Sequence, residues 1–215
     1  MRPFRTLRLL VVLAAIAALL AGGDIAVRHW ATTQLAARAQ QATGAQSGSA
    51  SISGFPFLYE TLVQGQVHGV TVSLTGVPAG PLVLQSVAVS MVGLHFDRNR
   101  LYHQRKIRLT SVNEATAVVL VSAVELSTVG GRQITVVDGR LAMSVAGRTV
   151  PADATITGGH TLIVSVGGVT VFSADLSRSA LVPPCSMSLQ VVADGVQATC
   201  TMAPVPPSVL AAVSS

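Results

Sequence analysis

The chain has 215 residues, half of them hydrophobic and only 11% charged, with a formal net charge of +5. That length suits one domain with a sizeable core, and the apolar surplus calls for a membrane segment, an internal apolar cavity, or both. Arg2, Arg5 and Arg8 belong to an N-terminal leader; without them +5 falls to +2, too little to argue nucleic-acid binding from charge.

The leader pairs that positive n-region with Leu9 to Ala21, an uninterrupted apolar run. As a helix this run would cover about 20 Å, whereas a hydrocarbon core of about 30 Å calls for about 20 apolar residues. A signal-peptide h-region fits that length better than a full span, and Ala21-Gly22-Gly23 offers cleavage before Asp24. If the apolar character instead continues toward Ile25 and Val27, the segment stays as an anchor. In both outcomes residues 1–23 direct export and the arginines stay on the cytoplasmic side.

From Asp24, a fair N-cap, to about Gln41 the pattern is helical, with Val27, Ala31, Leu35 and Ala39 forming a narrow stripe beside Trp30. Such a stripe suits close packing on a sheet. Gly44 to Ser51 reads as a flexible link. It leads to Ser53-Gly54-Phe55-Pro56-Phe57-Leu58, where Pro56 fixes its own φ and pushes Phe55 into an extended conformation. The two rings are either an aromatic plug closing the core or, with Pro56, Leu58 and Leu62, the mouth of an apolar ligand groove. A short helical turn follows over Tyr59 to Val63, ended by Gly65.

Beyond the corner the chain alternates as strands do. Val70, Val72 and Leu74 face one way and Thr71, Ser73 and Thr75 the other, a half-buried strand. Leu82 to Phe96 is apolar on both faces and reads as a strand covered on both sides. Further strands are expected at residues 107–112, 117–122, 133–137, 140–145, 149–156, 161–166, 169–172, 187–192 and 196–202. Gly130-Gly131, Asp138-Gly139, Gly158-Gly159, Gly167-Gly168 and Asp194-Gly195 mark turns between them. This spacing favours an antiparallel meander over βαβ units.

Cys185 and Cys200 are the only cysteines, and an exported chain favours a bridge between them. A two-residue turn at Asp194-Gly195 places Cys200 opposite Leu189, four positions from Cys185. The bridge then needs a bulge, a wider turn, or Pro184 curling the chain back; two buried free thiols are the alternative.

Searches for chemistry return little. There is no G-x-S-x-G elbow, P-loop, G-x-G-x-x-G, H-E-x-x-H or C-x-x-C, and no two histidines share a helical face. No catalytic residue, metal site or cofactor is indicated. Arg98, Arg100, Arg105, Lys106 and Arg108, with Tyr102 among them, suit an anionic lipid headgroup or membrane surface, or form a solvated loop.

The export segment, the Ala-rich helix, Gly54 to Leu58, Gln66-Val67-His68-Gly69-Val70-Thr71-Val72, the long Leu82 to Phe96 strand and the Leu181-Val182-Pro183-Pro184 … Asp194-Gly195-Val196 close resemble the LmeA-like phospholipid-binding family of actinobacterial cell envelopes. The resemblance implies an α+β fold: one amphipathic helix packed on a curved, mainly antiparallel β-sheet that encloses an apolar groove, similar to tubular lipid-binding proteins. The resemblance covers roughly Asp24 to Met202, and the chain divides into 1–23, signal peptide or anchor; 24–205, lipid-binding domain; and 206–215, C-terminal tail. It implies a non-enzymatic phospholipid-binding or carrier protein at the extracytoplasmic membrane face or in the periplasmic space, linked to lipomannan maturation. Its partners would be a phospholipid or other envelope lipid and the membrane surface, not nucleic acid. An adaptor that docks an envelope enzyme through its sheet is the alternative.

Overall fold

The computed structural model describes the chain except residues 1–2, 98, 100–102, 104–107, 159–160, 176–184 and 214–215; for residues 3–21 and 211–213 it describes the backbone alone. The fold is α+β, with a long N-terminal helix and two antiparallel sheets of six and five strands rather than one. Helix α1 runs unbroken from Pro3 to Thr43. Asp24 therefore does not start a helix; it lies within one, buried at 3% exposure. Leader and stripe are both rich in Ala and Leu, whose helix propensity outweighs the roughly 1 kcal/mol that each of Gly22 and Gly23 costs.

Strand β1 (Ser47–Ser53) pairs along its length with β2 (Gln66–Ala79), from Ser47↔Thr75 to Ser53↔Gly69. The flexible link expected over Gly44 to Ser51 is thus mostly strand. Its composition hides an alternation of small amplitude, serines on one face and Gly48, Ala50 and Ile52 on the other. Small residues are required because α1 lies directly on them: a Cβ at Gly48 would stand 2.8 Å from Gln40 Cγ.

Strands β3 (Leu82–Phe96) and β4 (Leu109–Ser122) extend this sheet, and β4 absorbs two separately expected strands. The chain then leaves through α3 (Ala123–Gly130) into a meander of β5 (Ile134–Val137), β6 (Arg140–Val145), β7 (Arg148–Thr157), β8 (Thr161–Val166) and β9 (Val169–Asp175). It returns as β10 (Ser188–Val192) and β11 (Gly195–Met202), which complete the larger sheet in the order β1-β2-β3-β4-β11-β10. Asp138-Gly139 makes the expected primed turn, both residues at positive φ. Helix α3 was not expected; Ser122 Oγ caps it by accepting the Glu125 amide at 3.1 Å. The Glu125 carboxylate accepts the Val83 amide at 2.7 Å, tying α3 to the start of β3. Helix α4 (Pro207–Val213) packs on β4, with Leu210 buried.

Register divides the larger sheet into two unlike faces. On one, cross-strand rows read Gly48–Leu74–Val87–Val119–Ala198, then Ala50–Val72–Val89–Ala117–Cys200, then Ile52–Val70–Met91–Ala115–Met202. The opposite rows are largely Ser and Thr, such as Ser51–Thr71–Ser90–Thr116–Thr201. Helix α1 covers the β1–β2 side of the apolar face, with Ala31, Leu35 and Ala39 packed on the core. Leu74, Val87 and Val119 are at most 2% exposed, each contributing about 2 kcal/mol by burial.

The reading of β3 as covered on both sides holds only in alternation. Val87 is buried on the apolar face, whereas Leu82 and Leu84 are buried on the other, paired with Ala79 and Val77. Val83 and Val92 stay exposed. The strand serves two layers at different points along its length.

Cys185 and Cys200 are bridged, with Cα atoms 6.0 Å apart. The hairpin register differs by two residues from the one counted above: Val192 pairs with Gly195, so the turn is Ala193-Asp194 and Ser188 lies opposite Thr199. Cys185 is then only two positions short of the site opposite Cys200. Gly195 is drawn into the strand by the closeness of β4, since a Cβ there would lie 2.1 Å from the Val121 carbonyl oxygen.

Candidate functional site

The corner between β1 and β2 is built by two buried carboxylates. Gly54 has φ +114, and after the cis Phe55–Pro56 bond the chain enters α2 (Phe57–Tyr59), continued by a π-helical turn over Glu60–Gln64 that Gly65 ends in the left-handed conformation. Pro56 sits at the N-cap with no side chain able to accept a hydrogen bond. Asp24 supplies the acceptor from α1: its carboxylate takes the amide of Phe57 at 3.1 Å and that of Leu58 at 2.6 Å. The residue expected to cap its own helix caps another.

Glu60, 6% exposed, accepts from His68 Nδ1 at 3.0 Å, the imidazole itself standing in solvent. Its carboxylate also fills the space beside Gly54, where a Cβ would lie 2.3 Å from Oε2. The corner is thereby fixed to α1 through Asp24 and to β2 through Glu60.

This frame separates the rings. Phe57 is buried in the core and Leu58 packs on it half-buried. Phe55 is 65% exposed and Pro56 is exposed, followed at helical spacing by exposed Tyr59, Leu62 and Val63. Of the three apolar rows, Ile52–Val70–Met91–Ala115–Met202 is the nearest to the corner. It opens away from α1: Ile52 and Val70 are buried, whereas Met91, Ala115 and Met202 are half-buried. Unbranched Met side chains adapt to irregular apolar partners, a property suited to acyl chains.

The two ends of the basic segment, Asp97 and Arg108, lie close by. The Phe96 amide donates to the Gly65 carbonyl at 2.9 Å, and the Asp97 amide to the Arg108 carbonyl at 3.0 Å. Arg108 is exposed; Arg98, Arg100, Tyr102, Arg105 and Lys106 fall outside the described residues. Among the described residues no three His, Cys, Asp or Glu side chains group as metal ligands.

Comparison with known families matches residues 22–215 to the family described as LmeA-like phospholipid-binding. The chain belongs to the LmeA-like phospholipid-binding family. No curated protein and no solved structure matches it. Membership covers the corner, both sheets and the C-terminal helix together, and gives the chain a lipid-binding role. The family is one of binding proteins, not a known family of enzymes. Sequence reading named Phe55, Pro56, Phe57, Leu58 and Leu62 but passed over Tyr59 and Val63, although Tyr59, Leu62 and Val63 show i, i+3, i+4 spacing. It also passed over Glu60 and the Met91–Met202 row, which needs the strand register to be seen.

Proposed function

We propose that this protein is a non-enzymatic phospholipid carrier of the actinobacterial cell envelope, with lipoglycan (lipomannan) maturation as the process it serves. The observation that carries this reading is the apolar row Met91–Ala115–Met202, half-open on the side away from α1 and nearest the Phe55 corner. A sheet face of this kind shelters acyl chains, with Phe55, Pro56, Leu58 and Leu62 forming the mouth and Phe57 backing it. The cations of the segment from Arg98 to Arg108 receive the phosphate headgroup. The disulfide suits the oxidising side of the membrane, and among the residues whose side chains are described no helix is long and apolar enough to cross a bilayer.

Native mass spectrometry of the purified chain, with extraction and identification of bound lipid, tests the reading. Stoichiometric phospholipid is the expected result. A lipid-free protein that also takes up none when it is supplied would overturn it in favour of an adaptor docking through its sheet.

A further inference from the structure

We infer that the end of the molecule formed by α1 and the corner is seated in the surface of a phospholipid bilayer, with α1 continuing from it into the hydrocarbon. This goes beyond lipid carriage, because it concerns how the protein sits on a membrane whether loaded or empty. Exposed large apolar side chains are not scattered evenly. Ile25 and Trp30 of α1, each 64% exposed, and Phe55 and Tyr59, at 65% and 51%, stand on two segments that Asp24 joins by hydrogen bonds. Exposed Leu62 and Val63 continue the second segment. Elsewhere the exposed large apolar residues among those described are separate valines on β3, α3, β5 and β9, which need no partner to explain them.

Continuity of α1 identifies the occupant. Among the residues of α1 whose side chains are described, Asp24 is the first one buried; Gly22 and Gly23 before it are exposed, with nothing within 4 Å of an added Cβ. From Pro3 to Gly23 the helix is about 30 Å long, the thickness of a hydrocarbon core. This length includes the Leu9 to Ala21 run, about 20 Å of it, with Arg5 and Arg8 in the turns before that run. The corner, bound through Asp24, is thus held about one helical turn beyond the end of the apolar run. Exposed Trp30, within two helical turns of Asp24, and exposed Phe55 and Tyr59 on the corner bound to Asp24 are side chains of the kind that gather at a membrane interface. A second copy of the chain seated on this end would leave the apolar run of α1 unexplained.

Trp30 is the single tryptophan and serves as its own depth probe. The full chain is reconstituted in phosphatidylcholine–phosphatidylglycerol vesicles that carry a nitroxide either near the headgroup or deep in the acyl chain. A second protein, Trp30→Phe with Tyr59→Trp, moves the probe to the corner. Both probes are expected to shift to shorter emission wavelength and to be quenched at least twofold more by the shallow label than by the deep one. In detergent with one equivalent of shallow-labelled phospholipid, that quenching is expected to disappear. Quenching of Trp30 without quenching at position 59 would overturn the seating of the corner. Equal quenching in detergent would assign the signal to a bound lipid, and a blue shift that follows protein concentration without quenching would assign it to self-association; either overturns the proposal. Lipid carriage is read separately by mass spectrometry, so each proposal can fail alone.

Discussion

The carboxylate of Asp24, midway along α1, accepts the backbone amide of Leu58 at 2.6 Å, joining residues 34 positions apart in the chain. Because Pro56 offers no capping side chain, this contact and the one to Phe57 are what satisfy the first amides of α2. Asp24→Ala should lower stability by about 2 kcal/mol, the range for a lost cap with charged character. Hydrogen exchange should rise specifically over residues 57–65. Asp24→Asn, which keeps an acceptor oxygen, should recover part of the loss; denaturant titration and exchange mass spectrometry measure both.

Gly54→Ala should be costly for two reasons. Its φ of +114 disfavours any L side chain, and the new methyl would collide with the Glu60 carboxylate. Backbone strain alone amounts to about 1–3 kcal/mol, so a fall in Tm of several degrees is expected. An unchanged Tm would show that the corner can rebuild itself.

Phe55 and Phe57, two positions apart, should behave oppositely. Phe57→Ala empties a core site, with an expected loss of about 3–5 kcal/mol. Phe55→Ala removes an exposed ring and should change stability by no more than about 0.5 kcal/mol while lowering co-purified phospholipid several-fold. Lipid quantification alongside thermal melts separates the two.

Met91→Gln with Met202→Gln keeps side-chain length but makes the half-buried row polar. Bound phospholipid should fall while the fold persists, since the row is open enough for the amides to remain hydrated. Full lipid retention would place the acyl chains elsewhere.

The Cys185–Cys200 bridge closes a loop of sequence separation 15. On the chain-entropy account its reduction should cost about 3 kcal/mol. Unfolding compared with and without reductant measures that cost, with Cys185→Ser and Cys200→Ser as the paired control.

Strands with strong alternation, such as Arg140–Val145 and Thr161–Val166, were legible to the residue. Their turns need particular backbone angles, and the sequence carries residues that adopt them. Strand β1 was missed because Ser, Gly and Ala give a periodicity almost without hydrophobic contrast. Helix α3 was missed although Ser122 and Glu125 have capping spacing, because the apolar residues before them extend a strand without a break. At the corner, Gly54 to Leu58 stood out by composition, but the partners that fix it are remote in sequence. Nothing local marks Asp24 as an acceptor for Leu58, and nothing short of the register aligns Met91 with Met202 across β4.

The position of β4 bears on how the chain folds as it is made. Ser122 and Gly195 are cross-strand partners separated by about seventy residues, so a chain emerging N-terminus first presents β1 to β4 with the outer edge of β4 still open. An unpaired edge of apolar strand invites pairing with another molecule. As the chain emerges, this edge must wait until the whole smaller sheet has appeared before β11 can close it. That interval is when the nascent protein is most exposed to misassembly, and when a chaperone would have its clearest point of engagement.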